Sequence, residues 1–130
     1  MQAHHPQSPG DPADARALAR AARSLRCLPF RRAFYSELAD TPISSNELCS
    51  RADWPELVFA PFGAERAEAH FIWLIRLGVL RREVDGQGLT ERVRLTPLGR
   101  QLLAQLPAEV GRAGLRERLL ESFRRHRPRL

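Results

Sequence analysis

The chain has 130 residues and a net charge of +6, room for one domain that buries about two-thirds of the surface its unfolded form exposes. No apolar run approaches the ~18 residues of a membrane span and no apolar signal region follows Met1, so a cytoplasmic protein without a membrane partner is expected. Cys27 and Cys49 stand in apolar helical surroundings without neighbouring histidines, which points to buried reduced thiols, with a redox pair as the second reading, rather than a zinc site or other cofactor.

Residues 1–10, rich in Pro, Gln, Ser and His, are predicted to be a disordered tail. A helix follows, with Asp11 as cap, Pro12 in the first turn and Leu18, Ala21, Ala22 and Leu25 as its apolar stripe through Arg26. Pro29 breaks it, and a second helix over Phe30–Ala39 brings Phe30, Phe34 and Leu38 to one face. After extended Thr41-Pro42-Ile43, Ser44 and Glu47 stand at capping-box spacing and open a helix over Ser45–Ala52. Residues 53–63 carry Trp54, Leu57, Val58, Phe59 and Phe62, too much apolar surface for a solvated loop. A short extra helix over Pro55–Phe59, capped by Asp53 and tucked against the body, is expected there. The next helix, Ala64–Leu77, turns Ala67, Phe71 and Leu74 inward and is expected to project Arg66, Ala69, Trp73 and Arg76 outward until Gly78 stops it.

Two short strands around Gly86-Gln87-Gly88 then read as a hairpin. A two-residue type II′ turn at Gly86-Gln87 sets Val84 against Leu89, Leu80 against Val93 and Arg82 against Glu91. On the other face Arg81 meets Arg92, with Arg94 next along the strand. Like charges directly opposite cost a few tenths of a kcal/mol, which a phosphate would offset and which solvated, splayed guanidinium groups would also relieve. Thr96 and Pro97 open a further helix carrying Leu98, Leu102 and Leu103, ended by Pro107. The last segment is amphipathic, with Leu115, Leu119, Leu120 and Phe123 opposite Arg118, Arg124 and Arg125. This order, mainly α with a small β-hairpin, is that of a winged helix-turn-helix with extra N- and C-terminal helices. The expected division is a tail over 1–10, a winged-helix domain over 11–106 and a basic C-terminal helix and tail over 107–130.

All 21 basic residues are arginine, which a GC-rich coding bias explains more simply than selection for anion contacts. Residues 1–40 hold six Arg against four acids, 41–110 eight against nine, and 111–130 seven against two. The body is thus nearly neutral, although affinity for duplex DNA rests largely on neutralising phosphates. If the chain holds DNA, Arg81, Arg92 and Arg94 of the wing and Arg124, Arg125 and Arg127 of the tail are the expected contacts. The helix at the recognition position starts with Glu65 and Glu68, which repel phosphate, and carries Ile72 and Trp73, which suit packing against another helix, either the chain's own terminal helices or a second subunit, more than base contact.

Two function classes follow, the first preferred and the second its alternative. One is a DNA-binding transcriptional regulator, as a homodimer; the other is a protein-docking module using Trp73, Ile72, Trp54 and Phe59, with Leu119 and Phe123 as further interface positions. An enzyme is not expected, because no nucleophile-base pair, phosphate loop or metal spacing is present in the sequence.

The runs Arg26-Cys27-Leu28-Pro29-Phe30-Arg31, Gly78 to Thr90, and Arg94-Leu95-Thr96-Pro97-Leu98-Gly99-Arg100 resemble a family of small uncharacterised cyanobacterial proteins over roughly residues 15–105. That resemblance implies a cytosolic bacterial protein and brings no activity with it. More broadly, a hairpin followed by Leu-Thr-Pro-Leu-Gly resembles bacterial winged-helix regulators, where such a segment ends the DNA-binding domain. The acidic start of the recognition-position helix and the long aromatic connection depart from that pattern.

Overall fold

A computed structural model describes residues 12–106 together with Leu120 and Ser122. Helix α1 spans Pro12–Cys27, α2 Arg32–Leu38, α3 Ser45–Cys49 and α4 Ala64–Arg76; strands β1, Leu80–Asp85, and β2, Gly88–Leu95, form an antiparallel pair, and α5 spans Pro97–Gln105.

Most helix ends are made by local chemistry. At α3 the Ser44 hydroxyl accepts from the Glu47 amide at 3.1 Å, and the Glu47 carboxylate accepts from the Ser44 amide at 2.8 Å, so both halves of the capping box form. The helix stops at Cys49 rather than Ala52, where the Ser50 hydroxyl donates to the carbonyls of Asn46 and Glu47 and competes with further helical bonding. Gly78, at φ 84°, ends α4: its amide reaches the Ile75 carbonyl and that of Val79 reaches Leu74, which satisfies the last carbonyls while Leu74 and Val79 bury together. Thr96 caps α5 by accepting from the Gly99 amide at 3.0 Å, with Pro97 in the first turn.

The hairpin keeps the expected turn residues but not the expected turn. A type II′ turn needs a positive φ at Gly86, whereas the positive φ lies at Gly88, 112°, and the Asp85 carboxylate accepts from the Gln87 amide at 2.7 Å. Val84 faces Leu89 as expected. Beyond that pair a bulge between Arg82 and Val84 shifts the register, so Leu80 faces Leu95, Arg82 faces Val93 and Arg81 faces Arg94 instead of Arg92. The shift is of two residues, so the paired residues on either side of the bulge keep their faces.

Ile43 adds a third rung. Its amide donates to Val93 at 3.1 Å and its carbonyl accepts from Val93 at 2.9 Å, an antiparallel bridge. Both polar groups of Val93 are thereby used on the side away from β1, and the segment between α2 and α3 lies along the outer edge of β2.

The connection over 53–63 packs inward, as its composition demands. A single 3-10 turn, Trp54–Glu56, replaces the expected helix, and Asp53 makes no cap bond because both its oxygens take the Arg51 guanidinium. Residues 57–59 then run beside 29–31: Arg31 donates its amide to Leu57 and Phe59 to Pro29, each at 2.8 Å, and Leu57 and Val58 are buried. At the centre of the core, Phe30 stacks on Phe34 at 4.4 Å and meets Tyr35, Phe62, His70 and Phe71 at about 6 Å. Burial of the Tyr35 phenol pushes its pKa well above the ordinary value.

Candidate nucleic-acid interface

Helix α4 buries Ala67, Phe71 and Leu74, and leaves Glu65, Arg66, Ala69, Ile72 and Arg76 exposed. Two side chains mark the borders of that open face. On one side Glu68 holds Arg82 of β1 in an ion pair; on the other the Trp73 indole donates to the Ser24 hydroxyl of α1 at 3.4 Å. With about 3.6 residues per turn, positions 65, 69, 72 and 76 lie between these two borders. The open face of α4 is therefore flanked by the hairpin and by α1.

Trp73 does not project outward as expected. It is half-buried and packs on the core from the side that α1 covers. The other aromatics proposed for a docking surface are also used internally: Trp54 and Phe62 pack on the core, and Phe59 lies under the Arg31 guanidinium, 4.2 Å from its ring centre. Of those residues only Ile72 remains substantially exposed, at 40%. At the hairpin tip the facing pair Val84 and Leu89 is exposed as well.

The arginines of the hairpin have distinct surroundings. Arg94, on the same face as Arg81 and directly opposite it, pairs at 3.3 Å with Glu83, so a carboxylate of the hairpin itself offsets the facing positive charges. Arg92, next to the bulge, reaches Glu47 of α3 at 3.2 Å. Glu47 in turn has its pKa lowered, first by the Ser44 amide and then by Arg92. Arg82 ties the hairpin to α4 through Glu68 and donates to the Glu91 carbonyl at 3.0 Å. Arg81 is exposed and has no carboxylate partner among the described residues. Of Arg81, Arg92 and Arg94, Arg81 alone thus combines exposure with the lack of a carboxylate partner among the described residues. Arg124, Arg125 and Arg127, and Leu119 and Phe123, lie outside the described residues.

A small apolar cavity of about 60 Å³ lies beside Leu48, Cys49, Trp54, Val58, Pro61 and Phe62. It is well below the roughly 300 Å³ of a small-molecule site. Cys49 there is half-buried, and burial raises its thiol pKa.

A family model matches residues 12–125. The chain belongs to the Npun_F0494-like family. This is an uncharacterised family named after a locus of the cyanobacterium Nostoc punctiforme. The match begins at the first residue of α1 and extends past α5, so it takes in the hairpin, α4 and the N-terminal helix alike. No curated protein and no solved structure matches the chain.

Charge reading by segment passed over one feature of α1. Arg16, Arg20 and Arg23 are exposed, and none has an ion-pair partner among the described residues. Their spacing, i, i+4 and i+7, places them opposite the apolar stripe of Leu18, Ala21, Ala22 and Leu25. That spacing is plain in the sequence; summing charge over forty residues concealed it.

Proposed function

We propose that the chain is a DNA-binding protein of winged-helix type, a transcriptional regulator in which α4 takes the recognition position and the β1–β2 hairpin is the wing. One observation carries the reading: the two hydrogen bonds between Ile43 and Val93. With this isolated bridge taken as a short first strand, the order α2, strand, α3, α4, β1, β2 is the one a winged helix requires, and that supports the reading.

Chemistry on the exposed side of α4 supports the same reading, with Arg76 on its open face and Arg66 beside the Trp73 border. Arg66 and Arg76 are exposed without carboxylate partners among the described residues, and Arg81 stands on the neighbouring hairpin. Phosphate contacts by these three would set the orientation of the protein on the duplex, while Glu65 is positioned to accept from a cytosine amino group. Because Arg92 and Arg94 already hold carboxylates, their contribution to affinity is smaller than that of Arg81. The docking alternative loses its main aromatics, since Trp73 and Trp54 pack on the core and Phe59 lies under the Arg31 guanidinium; what favours it is the exposed apolar pair Val84 and Leu89, 58% and 76% open, at the hairpin tip.

Fluorescence anisotropy with a random 20-base-pair duplex over a salt series tests the proposal. Binding should weaken linearly on a log–log scale, and Arg81→Ala should weaken it further and flatten the slope by about one. Absence of salt-dependent binding by the wild-type chain at low salt defeats the DNA reading. Capture of a protein partner that Val84→Ser with Leu89→Ser abolishes would establish the docking reading in its place.

A further inference from the structure

We infer that α1 is a DNA-backbone contact in its own right, with Arg16, Arg20 and Arg23 gripping phosphates beside the α4 face. The inference rests on the DNA-binding reading and specifies where its electrostatic affinity comes from.

Three observations converge on this helix. First, its solvent side is uniformly basic. Asp14 is the one acid of α1, and its position on the helix is turned away from the arginine stripe. Four arginines elsewhere among the described residues are answered by carboxylates: Arg51 by Glu37 and Asp53, Arg82 by Glu68, Arg92 by Glu47, Arg94 by Glu83; Arg66, Arg76 and Arg81, beside the proposed interface, are not. A helix face needing only solubility would mix signs, because Glu and Arg three or four positions apart stabilise it while like charges at that spacing repel. Keeping Arg16, Arg20 and Arg23 together without an acid costs helix stability and leaves three guanidinium groups that no carboxylate of the described residues holds.

Second, the stripe is placed beside the proposed interface. Trp73 reaches across from α4 to Ser24, one residue from Arg23, so α1 borders the open face of α4 on the side opposite the hairpin. The helix buries Ala21 and Leu25 in the core, so its arginines face away from the body. Third, the length fits a polyanion. From Arg16 to Arg23 the stripe runs about 10 Å along the helix axis, and duplex DNA carries a negative charge about every 1.7 Å of its own axis. A membrane surface fits less well: the apolar side of α1 is already occupied by the core and has none left to insert between lipids.

The test compares the wild-type chain with the triple variant Arg16→Gln, Arg20→Gln, Arg23→Gln and the double variant Arg92→Gln, Arg94→Gln, on the random duplex over a salt series and on phosphatidylserine vesicles. Glutamine keeps helix propensity, so the triple variant should melt no lower than wild type. The inference requires the triple variant to lose affinity by about tenfold to hundredfold at low salt, with a slope flatter by about two to three, and the double variant to lose less. Arg20→Gln alone, in the middle of the stripe, should flatten the slope by about one. Duplex binding by wild type that the triple variant retains in full overturns this role for α1 and leaves the DNA reading intact. A wild-type chain that binds no duplex overturns both. Binding to vesicles that the triple variant abolishes, without binding to duplex, overturns the inference by giving the stripe a lipid surface instead.

Discussion

The hairpin and helix α1 both expose arginines, yet they use them in opposite ways. On the hairpin the guanidinium groups mostly turn to the molecule's own carboxylates: Arg82 to α4, Arg92 to α3, Arg94 to Glu83 across the strands. These pairs fix the hairpin against the helices behind it. On α1, Arg16, Arg20 and Arg23 hold no carboxylate among the described residues. The difference teaches that a count of arginines does not locate an anion site. What matters is which of them the fold has left uncompensated, since a guanidinium already in an ion pair has part of its charge and some of its N–H donors committed and gains less from a phosphate.

The most severe way to break the comparison is to remove the body that holds both regions in place. Phe30→Ala empties the centre of the aromatic cluster, where the ring is fully buried against Phe34, Tyr35, Phe62 and Phe71. A loss of about 3–5 kcal/mol is expected in urea denaturation, enough to unfold a large share of the molecules. A loss under about 1 kcal/mol would mean that the cluster is not the centre of the core.

A narrower perturbation cuts the link between hairpin and α4. Arg82 and Glu68 are both half-buried, and Arg82 also satisfies the Glu91 carbonyl. A double-mutant cycle of Arg82→Ala and Glu68→Gln should return a coupling of about 1 kcal/mol, near the upper end for partly exposed pairs. Coupling within error of zero would leave the hairpin unattached to α4 and weaken the picture of a wing held against that helix.

The smallest effect sharpens the comparison most. Glu47→Gln keeps the capping box, because glutamine can accept from the Ser44 amide, but removes the charge facing Arg92. Stability at neutral pH should fall by no more than about 0.5 kcal/mol, while duplex affinity rises a few-fold as Arg92 becomes free. The pH dependence follows from the same group. The folded pKa of Glu47 lies below its ordinary value, so its contribution is present above the ordinary value and is lost as pH falls through the lower, folded one. Asp53, lowered mainly by Arg51, acts in the same direction. Thermal melts of wild type should therefore drop through the acid range, and those of Glu47→Gln should drop less; parallel curves would remove Glu47 from the account.

Legibility in the sequence followed the distance over which each feature is set. The capping box at Ser44 and Glu47, the Gly78 stop and the Thr96-Pro97 helix start are decided within about five residues, and each stands where the sequence reading placed it. The inward face of α4 was equally legible, because Ala67, Phe71 and Leu74 keep helical periodicity. The bulge was not. Nothing local to Thr90-Glu91-Arg92 announces it, and it moved Arg81 from opposite Arg92 to opposite Arg94. Trp73 reads from the sequence as lying opposite the buried face, with either a terminal helix or a second subunit to cover it, and only the position of α1, forty-nine residues earlier in the chain, decides for the terminal helix. Ion pairs such as Arg92 with Glu47 join residues forty-five apart and could not be read from spacing.

Arginine side-chain NMR, following the Nε–Hε signals as random duplex is added, tests the central claim most directly, because it separates free guanidinium groups from those already held. Signals of Arg16, Arg20, Arg23, Arg66, Arg76 and Arg81 should shift first and furthest, with Arg51 and Arg82 unmoved. Shifts confined to Arg92 and Arg94, or no shift anywhere at saturating duplex, would contradict the account.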